Sequence, residues 1–262
     1  MTDELLDAYD RQLRMYVPPT REPGVTYERL GPVLRVTGWH VGSIEPAHDL
    51  GVSGEQLDAL IREHRDHFAA RGEGVEWKTR SHDLPPEVPD RLVAAGFVAE
   101  PTETVVVARC ADVAAEPRLP EGVRLRAVRE LADLQRIADM EAAVWGGDHT
   151  WRVTHLQGSI EAAPDDIVVL VAEADGEVVS AGWLVYQPGT DFAGLWGGST
   201  LERWRGRGIY RALVARRAQY AQARGVRYLQ VDASDDSRPI LDRLGFRAIT
   251  TTTPYVWTPP AT

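Results

Sequence analysis

A short arginine- and glycine-rich stretch, RWRGRGIYRALV from Arg203 to Val214, carries the clearest chemical signal in the sequence. It holds four arginines and two glycines directly before a segment with helical spacing. The first turn of a helix leaves its backbone N–H groups without partners, and the helix dipole makes that end positive. Glycine lets an anion approach the backbone, and arginine can donate two hydrogen bonds to one phosphate. The stretch is a candidate phosphate site, with a solvated arginine face as the alternative.

Other anion-binding motifs and partners are excluded on simple grounds. The sequence contains no GxxxxGK[ST] loop, and no GxGxxG follows a predicted strand. The formal net charge of -10 argues against broad binding to nucleic acids or anionic membranes, because both need a basic protein surface. We therefore expect neither nucleic acid nor membrane as a partner.

The composition is that of a globular protein with a sizeable core. The chain has 262 residues, of which 44% are hydrophobic and 26% charged, enough for one large or two ordinary domains. A single cysteine, Cys110, excludes an intrachain disulfide. The first residues are acidic and lack a signal-peptide pattern, and no apolar run reaches membrane length. These observations predict a soluble, cytoplasmic protein.

The hydrophobic pattern predicts alternating helices and strands that divide into two halves. An irregular stretch rich in alanine, proline and charge, 111–122, is the predicted linker between a first half, 1–110, and a second half, 123–262. In the first half we expect helices over 5–17, 54–71 and 86–95, and strands over 25–30, 33–38, 75–79 and 102–110. In the second half we expect helices over 130–144, 152–163, 208–224 and 237–244, and strands over 123–128, 167–174, 177–186, 192–200, 227–233 and 248–257.

The two halves share a late pattern of elements, which indicates an internal repeat. Each runs helix, Ala-Arg-Gly, strand, helix, Gly-Phe, strand, so that Gly72 corresponds to Gly225 and Gly96 to Gly245.

RGRGIYRALV, preceded by a strand and followed later by SRPILDRLGF, resembles the GNAT superfamily of acyl-CoA-dependent N-acyltransferases. Its motif is Arg or Gln, two residues, Gly, one residue, then Gly or Ala; here Arg205 and Gly208 match, while Tyr210 replaces the last small residue. The register from Arg203 also fits the letters, but Arg205 places Ile209 on the buried face. The resemblance covers 123–257 and implies an α/β fold of the mixed α+β type: two GNAT-like domains in tandem, with a central mixed sheet flanked by helices. The first domain would be partial and lack a cofactor motif, because Glu55 takes the place of Gly208.

The resemblance implies an acetyltransferase that uses acetyl-CoA as co-substrate. Backbone groups of the motif would hold the pyrophosphate, and the end of the preceding strand would pair with the pantetheine arm and polarise the thioester. Two serines after the next strand fall beside that arm, or serve as helix caps. The implied cofactor-binding residues are Gly198, Ser199, Thr200, Arg205, Gly206, Arg207, Gly208, Ile209, Tyr210, Arg211, Ser234 and Ser237.

The general acid and base are not assigned by the resemblance. Leu241 stands where many members carry a tyrosine that protonates the leaving thiolate, and Tyr210 is a possible substitute. Asp191, Asp232 and Glu141 are weak candidates for the base, and a water relay is an equal alternative. A non-catalytic acyl-CoA-binding or sensor module is therefore the rival to an acyltransferase.

The segment VWGGDHTW, 144–151, falls where the family builds its acceptor site. Trp145, Asp148, His149 and Trp151 combine aromatic walls with groups suited to a cationic amine, either a small molecule or a peptide. The alternative is a glycine-hinged loop whose tryptophans anchor in the core. His149 has no metal-ligand partners at a recognisable spacing, so we expect no metal.

Overall fold

The computed structural model describes residues 2–260, which form one mixed α/β fold. A single sheet of twelve strands has α-helices on both faces. The strands are β1 Thr26–Leu30, β2 Val33–Thr37, β3 Gly42–Pro46, β4 Val75–Arg80, β5 Val98–Ala99, β6 Glu103–Arg109, β7 Val123–Val128, β8 Ile167–Ala174, β9 Glu177–Tyr186, β10 Phe192–Thr200, β11 Tyr228–Ala233 and β12 Arg247–Trp257. The helices are α1 Thr2–Gln12, α2 Gly54–Arg71, α3 Val88–Ala94, α4 Cys110–Val113, α5 Leu131–Trp145, α6 Thr150–Ala162, α7 Ile209–Ala223 and α8 Arg238–Arg243.

The strand order shows that the two halves exchange strands. The sheet runs β1-β2-β3-β4-β12-β6-β11-β10-β9-β8-β7, with β5 beside β12. Strand β6 from the first half lies between two second-half strands, and β12 from the second half lies between two first-half strands. Only β3 with β4, and β10 with β11, are parallel strand pairs. The proposed division at 111–122 therefore separates the halves along the sequence but not in space, because both halves contribute strands to one hydrogen-bonded sheet.

The repeated elements occupy corresponding places on either side of the exchanged strands. The series α2, β4, α3, β6 in the first half matches α7, β11, α8, β12 in the second. Gly72 and Gly225 follow the long helices with φ of 67° and 75°, and Gly96 and Gly245 follow the short ones with φ of 91° and 95°. Only glycine adopts this left-handed backbone without steric cost, so both halves end these helices with the same glycine-dependent turn.

Strand β6 is apolar on both faces because helices cover both sides of the sheet. Val106 and Ala108 pack with α7 and α4, whereas Val105 and Val107 pack on the opposite side with Tyr9 of α1. Helices α5 and α6 cover β7 to β9, and α2 and α3 cover β2 to β4. No helix in the described part of the chain is both long and apolar enough to cross a bilayer.

Two local expectations from the sequence differ from the structure. Strand β3 was not among the strands expected from the sequence, yet all but one of its residues are buried. A Cβ on Gly42 would lie 2.0 Å from the Phe68 ring, so glycine is required for α2 to pack on this strand. Helix α1 ends at Gln12 rather than at the prolines, and Met15 has a left-handed φ of 52°.

His64 on α2 is a titratable side chain within the apolar core. It is 1% exposed, stacks edge-on against Trp77, and neither ring nitrogen has a hydrogen-bond partner in residues 2–260. Burial lowers the pKa of His64 to about 4, because the core disfavours the charged ring.

Acidification should therefore cost the protein stability through His64. The unfolded histidine binds its proton at about pH 6.5 while the folded one stays neutral until about pH 4, so stability falls as pH drops through this window. Between pH 7 and pH 5 the wild type should lose about 2 kcal/mol more unfolding free energy than His64→Leu. Urea denaturation at both pH values measures the difference, and equal losses in the two proteins would contradict the assignment.

Candidate cofactor and acceptor site

Strands β10 and β11 separate part-way along their length and open a cleft at the carboxyl end of the parallel pair. They pair only over 192–194 and 228–230. Beyond that point β10 continues along β9 to Thr200, while β11 continues along β6 to Ala233. The facing edges of the two strands are left without a ladder partner, and an extended ligand can add to such an edge as a further strand.

The β10 edge carries a β-bulge at the cleft. The register with β9 shifts between Gly197 and Ser199, and Gly198 has a φ of 90°. A Cβ on Gly198 would lie 2.8 Å from the ring of Tyr210, so the strand and α7 approach each other through glycine. The Ser199 hydroxyl accepts a hydrogen bond from the indole N–H of Trp145 at 2.9 Å. The bulge re-aims the backbone of β10 at the place where the resemblance puts the thioester.

The arginine- and glycine-rich turn lies at the open end of this cleft. Gly208 caps α7 with a φ of 85°, and Ile209 and Leu213 are buried, as the Arg205 register requires. The six successive backbone N–H groups of 206–211 have no acceptor in residues 2–260. An anion at this helix start would meet both free donors and the positive end of the dipole.

The motif arginines lie around these free donors on the protein surface. Arg205 donates to the Thr200 carbonyl at 3.1 Å, and Arg207 lies over the ring of Trp204. Arg203 pairs instead with Glu177, while Arg205, Arg207 and Arg211 stay exposed. The exposed guanidinium groups are available to a phosphate.

The corresponding place in the first half is closed by the protein itself. The Glu87 carboxylate accepts the Gly54 N–H at 2.8 Å and so occupies the anion position at the start of α2. Beyond β3 and β4 the chain forms a parallel bridge between Asp49 and Leu84, and the two segments stay together instead of separating. An internal carboxylate therefore occupies the place where an anionic group of a cofactor would have to bind.

Arg217 on α7 is a buried cation beneath the bulge. It is 1% exposed, and burial lowers its pKa to about 10. Within the described residues it has no carboxylate partner; it donates to the carbonyls of Leu213, Trp183 and Trp196 at 3.0–3.2 Å. Trp183 and Trp196 face each other across β9 and β10 just before the bulge. Arg217 therefore fixes the bulge to α7.

The two serines predicted beside the cofactor arm lie after β11. Ser237 holds the N-cap position of α8, but its hydroxyl donates to the Ser234 carbonyl at 3.2 Å rather than to the helix. Ser234 is exposed. Leu241 is fully buried among apolar side chains and brings no hydroxyl to the cleft.

The candidate bases differ sharply in their surroundings. Asp191 precedes the first residue of β10, at the opposite end of the strand from the bulge, and accepts a hydrogen bond from Gln12. Glu141 is 3% exposed and bound to Arg152 at 3.0 Å. Asp232 lies at the cleft but is paired with Lys78 at 2.5 Å. Each of the three carboxylates is therefore already engaged by another side chain.

The predicted acceptor residues separate into two groups. Trp151 lines a large cavity and stacks on His40 of the first half, with ring centroids 5.2 Å apart. Trp145 does not line that cavity; it is 62% exposed and donates its indole N–H to the Ser199 hydroxyl. Asp148 accepts the Thr150 N–H, and His149 Nε2 lies 2.9 Å from the Gly146 carbonyl oxygen, so both stabilise the loop. The structure brings only Trp151 to the cavity.

The cavity has a volume of about 1090 Å³ and connects the cleft to the first half. Its floor is one face of the shared sheet, and helices α1 and α6 cover it. The floor side chains are Leu34 and Val36 of β2, Ser43 and Glu45 of β3, Glu76, Lys78 and Arg80 of β4, Pro254 of β12, Glu103 of β6, Gln230 and Asp232 of β11, and Trp196 of β10. The first half thus supplies most of the floor.

Acidic side chains outnumber the cations in this cavity. Lys78 is matched by Asp232, and Arg80 by Glu45 at 2.8 Å. Glu76 and Glu103 have no hydrogen-bond or ion-pair partner in residues 2–260. Burial raises the pKa of each above its ordinary value, although Lys78 partly offsets it. Such carboxylates favour a cationic ligand or accept a proton.

One known sequence profile matches part of the second half. Residues 130–246 match the profile described as the acetyltransferase (GNAT) family. These residues form a GNAT domain. The fold agrees: parallel strands that separate, a bulged strand and a glycine turn before a long helix lie where the resemblance predicts the cofactor.

The fold of the whole chain is similar to that of solved GNAT structures. A GCN5-related N-acetyltransferase from Kribbella flavida has a TM-score of 0.68 at 16% identity, covering 100% of this chain and 96% of that one. A tandem GNAT protein from the clavulanic acid biosynthesis pathway has a TM-score of 0.64 at 15% identity, covering 100% and 95%. A GCN5-related N-acetyltransferase from Sphaerobacter thermophilus has a TM-score of 0.62 at 15% identity, covering 88% and 82%. No curated protein matches the chain.

Sequence reasoning missed the first-half side chains on the cavity floor. In VEWKTR, Glu76, Lys78 and Arg80 alternate with Val75, Trp77 and Thr79, so one face of this strand is charged. A charged face on a strand between α2 and α3 was a detectable signal, because an interior strand is expected to be apolar on both faces.

One group of potential metal ligands lies away from the GNAT cleft. Asp10, His48 and His82 each place a ligand atom within 4.8 Å of the others. The Arg14 guanidinium lies 2.6 Å from Asp10 and 3.2 Å from His82 Nε2. A cation therefore already holds this position, and the expectation of no metal stays a prediction.

The glycine turn gives a direct test of the cofactor side. Gly208→Ala and Gly54→Ala each place a methyl group on a positive-φ residue at a helix start, costing about 1 kcal/mol of stability. Only Gly208→Ala should also weaken CoA binding, by about tenfold, because only α7 offers free donors. Isothermal titration with CoA measures this, and equal affinities for both variants would contradict the prediction.

The role of the Tyr210 hydroxyl can be separated from that of its ring. Burial raises the pKa of Tyr210, with Arg217 partly offsetting it, and the ring packs on Gly198. Tyr210→Phe should keep kcat within about threefold of wild type, whereas Tyr210→Ala should lower it by removing the packing. A loss of 10²-fold or more in Tyr210→Phe would instead identify the hydroxyl as the general acid.

Proposed function

We propose that the protein transfers an acetyl group from acetyl-CoA to a primary amine bound in the cavity. The observation that carries this proposal is that the cleft, where the cofactor would bind, opens into the cavity, where the amine would bind. The cleft between β10 and β11 ends at the six free N–H groups, and its inner end opens into the acidic cavity at Trp196, Gln230 and Asp232. A thioester in the cleft would therefore face an amine on the floor.

The cofactor side of the proposal rests on backbone chemistry. The N–H groups of 206–211 would bind the pyrophosphate, with Arg205, Arg207 and Arg211 beside it. Gly198, Ser199 and Thr200 would pair with the pantetheine arm, and an N–H of the bulge would stabilise the negative charge that develops on the thioester oxygen. Arg217 would keep that bulge in place.

The amine would attack the thioester carbonyl directly. Its nitrogen forms a bond to the carbonyl carbon, the C–S bond breaks, and CoA leaves as the thiol once a proton is supplied. Holding amine and thioester together accounts for much of the rate, because it removes the entropy cost of their encounter.

Glu103 is the carboxylate best suited to take the proton of the amine, directly or through water. It lies on β6 next to β11, faces the cavity, has no ion-pair partner in the described chain and has a raised pKa. Asp232 is less suited because its carboxylate is already engaged in an ion pair with the Lys78 ammonium. The proposed base thus comes from the strand that the first half contributes.

Loss of this carboxylate should affect chemistry and not cofactor binding. Glu103→Gln should lower kcat by about 10²-fold or more, as expected for a general base, with CoA affinity within about twofold of wild type. Release of free thiol from acetyl-CoA with a panel of amines measures turnover, and titration calorimetry measures CoA binding. An unchanged kcat would remove Glu103 from the mechanism.

A non-catalytic acyl-CoA sensor is the second candidate, favoured by the buried Leu241, which stands where many members of the family carry a tyrosine. It predicts CoA binding with no thiol release on any amine. Failure to bind CoA would overturn both candidates.

A further inference from the structure

The part of the acceptor cavity farthest from the cleft is more acidic than a monoamine requires. Six carboxylates line the cavity, against the permanent cations Lys78 and Arg80. The two ion pairs use Asp232 and Glu45, and Glu22 accepts the Ser159 hydroxyl. Glu76, Glu103 and Glu161 have no cationic partner in residues 2–260.

The reacting amine cannot balance this charge during the reaction. It must lose its proton to attack, and the amide it becomes is neutral. A carboxylate that stays charged and partly desolvated is costly unless a lasting cation lies beside it. A ligand whose only nitrogen is the reacting one would leave the carboxylates of the floor beyond Glu103 without a cationic partner.

Glu76 is placed to bind a second, distant charge. Its strand β4 lies three strands from β11, past β12 and β6, and strand spacing puts this at roughly 14 Å. Aromatic side chains line the cavity, with Tyr27 and Trp39 from the first half and Trp151 from the second. Aromatic faces and carboxylates together suit ammonium groups joined by an apolar chain.

We propose that the acceptor is an elongated molecule with at least two ammonium groups, of which Glu76 binds the one that does not react. The inference rests on the proposed function for the identity of the site. Glu76 is then a specificity-determining residue and Glu103 faces the reacting nitrogen. The cavity volume, about 1090 Å³, exceeds what a short monoamine fills.

Linear diamines and monoamines of equal length test whether the acceptor carries a second ammonium group that Glu76 binds. With acetyl-CoA, kcat/KM for 1,8-diaminooctane should exceed that for octylamine by about tenfold or more, and 1,3-diaminopropane should show little advantage over propylamine. Glu76→Gln should abolish the advantage of 1,8-diaminooctane over octylamine. Glu121→Gln, an exposed carboxylate outside the cavity, is the matched control and should behave as wild type.

A binding measurement keeps the inference separate from the proposed function. Titration of the CoA-loaded protein with 1,8-diaminooctane should show at least tenfold weaker binding in Glu76→Gln than in Glu121→Gln, whether or not turnover occurs. Equal kcat/KM for the matched amines, or equal diamine binding in the two variants, would overturn the second-cation site. Diamine binding without thiol release would keep the site and overturn the acyltransferase proposal.

Discussion

The position of β6 between β12 and β11 is the constraint on which the rest of the molecule depends. Its backbone joins the two halves into one ladder, and its two apolar faces anchor helices on opposite sides of the sheet. Because the ladder is continuous, the first half cannot move away from the cleft without breaking backbone hydrogen bonds. The GNAT domain and the cavity floor beside it therefore belong to one continuous sheet that contains strands from both halves of the chain.

The corresponding supersecondary units of the two halves differ in the electrostatics of their helix starts. In the second half the helix start keeps its N–H groups free and the strands separate. In the first half Glu87 satisfies the helix start and a parallel bridge holds the strand ends together. The same backbone arrangement therefore leaves free N–H donors at the helix start in one half and a closed helix start in the other, and the closed half contributes to the cavity.

Much of the cofactor side could be predicted from sequence because it depends on local backbone. The glycines of the turn, the buried Ile209 and the glycines after the helices all follow from nearest neighbours along the chain. The acceptor side could not be predicted in this way. Glu103 and Glu76 meet Asp232 and Trp151 only through strand exchange, and nothing within a short window specifies that β6 crosses to the other half. The loop 144–151 was expected to form the pocket, but its polar groups mostly satisfy one another.

The ion pair between Lys78 and Asp232 bears on whether the protein can acylate its own lysine. Lys78 is the only lysine in the chain, and its ammonium lies in the cavity that meets the cleft. Burial lowers its pKa, but Asp232 and the nearby glutamates outweigh this and hold the pKa above its ordinary value. A permanently protonated amine is not a nucleophile. An acyl group bound in the proposed cofactor cleft would therefore meet no lysine of its own protein that can intercept it, and the other permanent cation of the cavity, Arg80, is an arginine, which stays protonated for a similar reason.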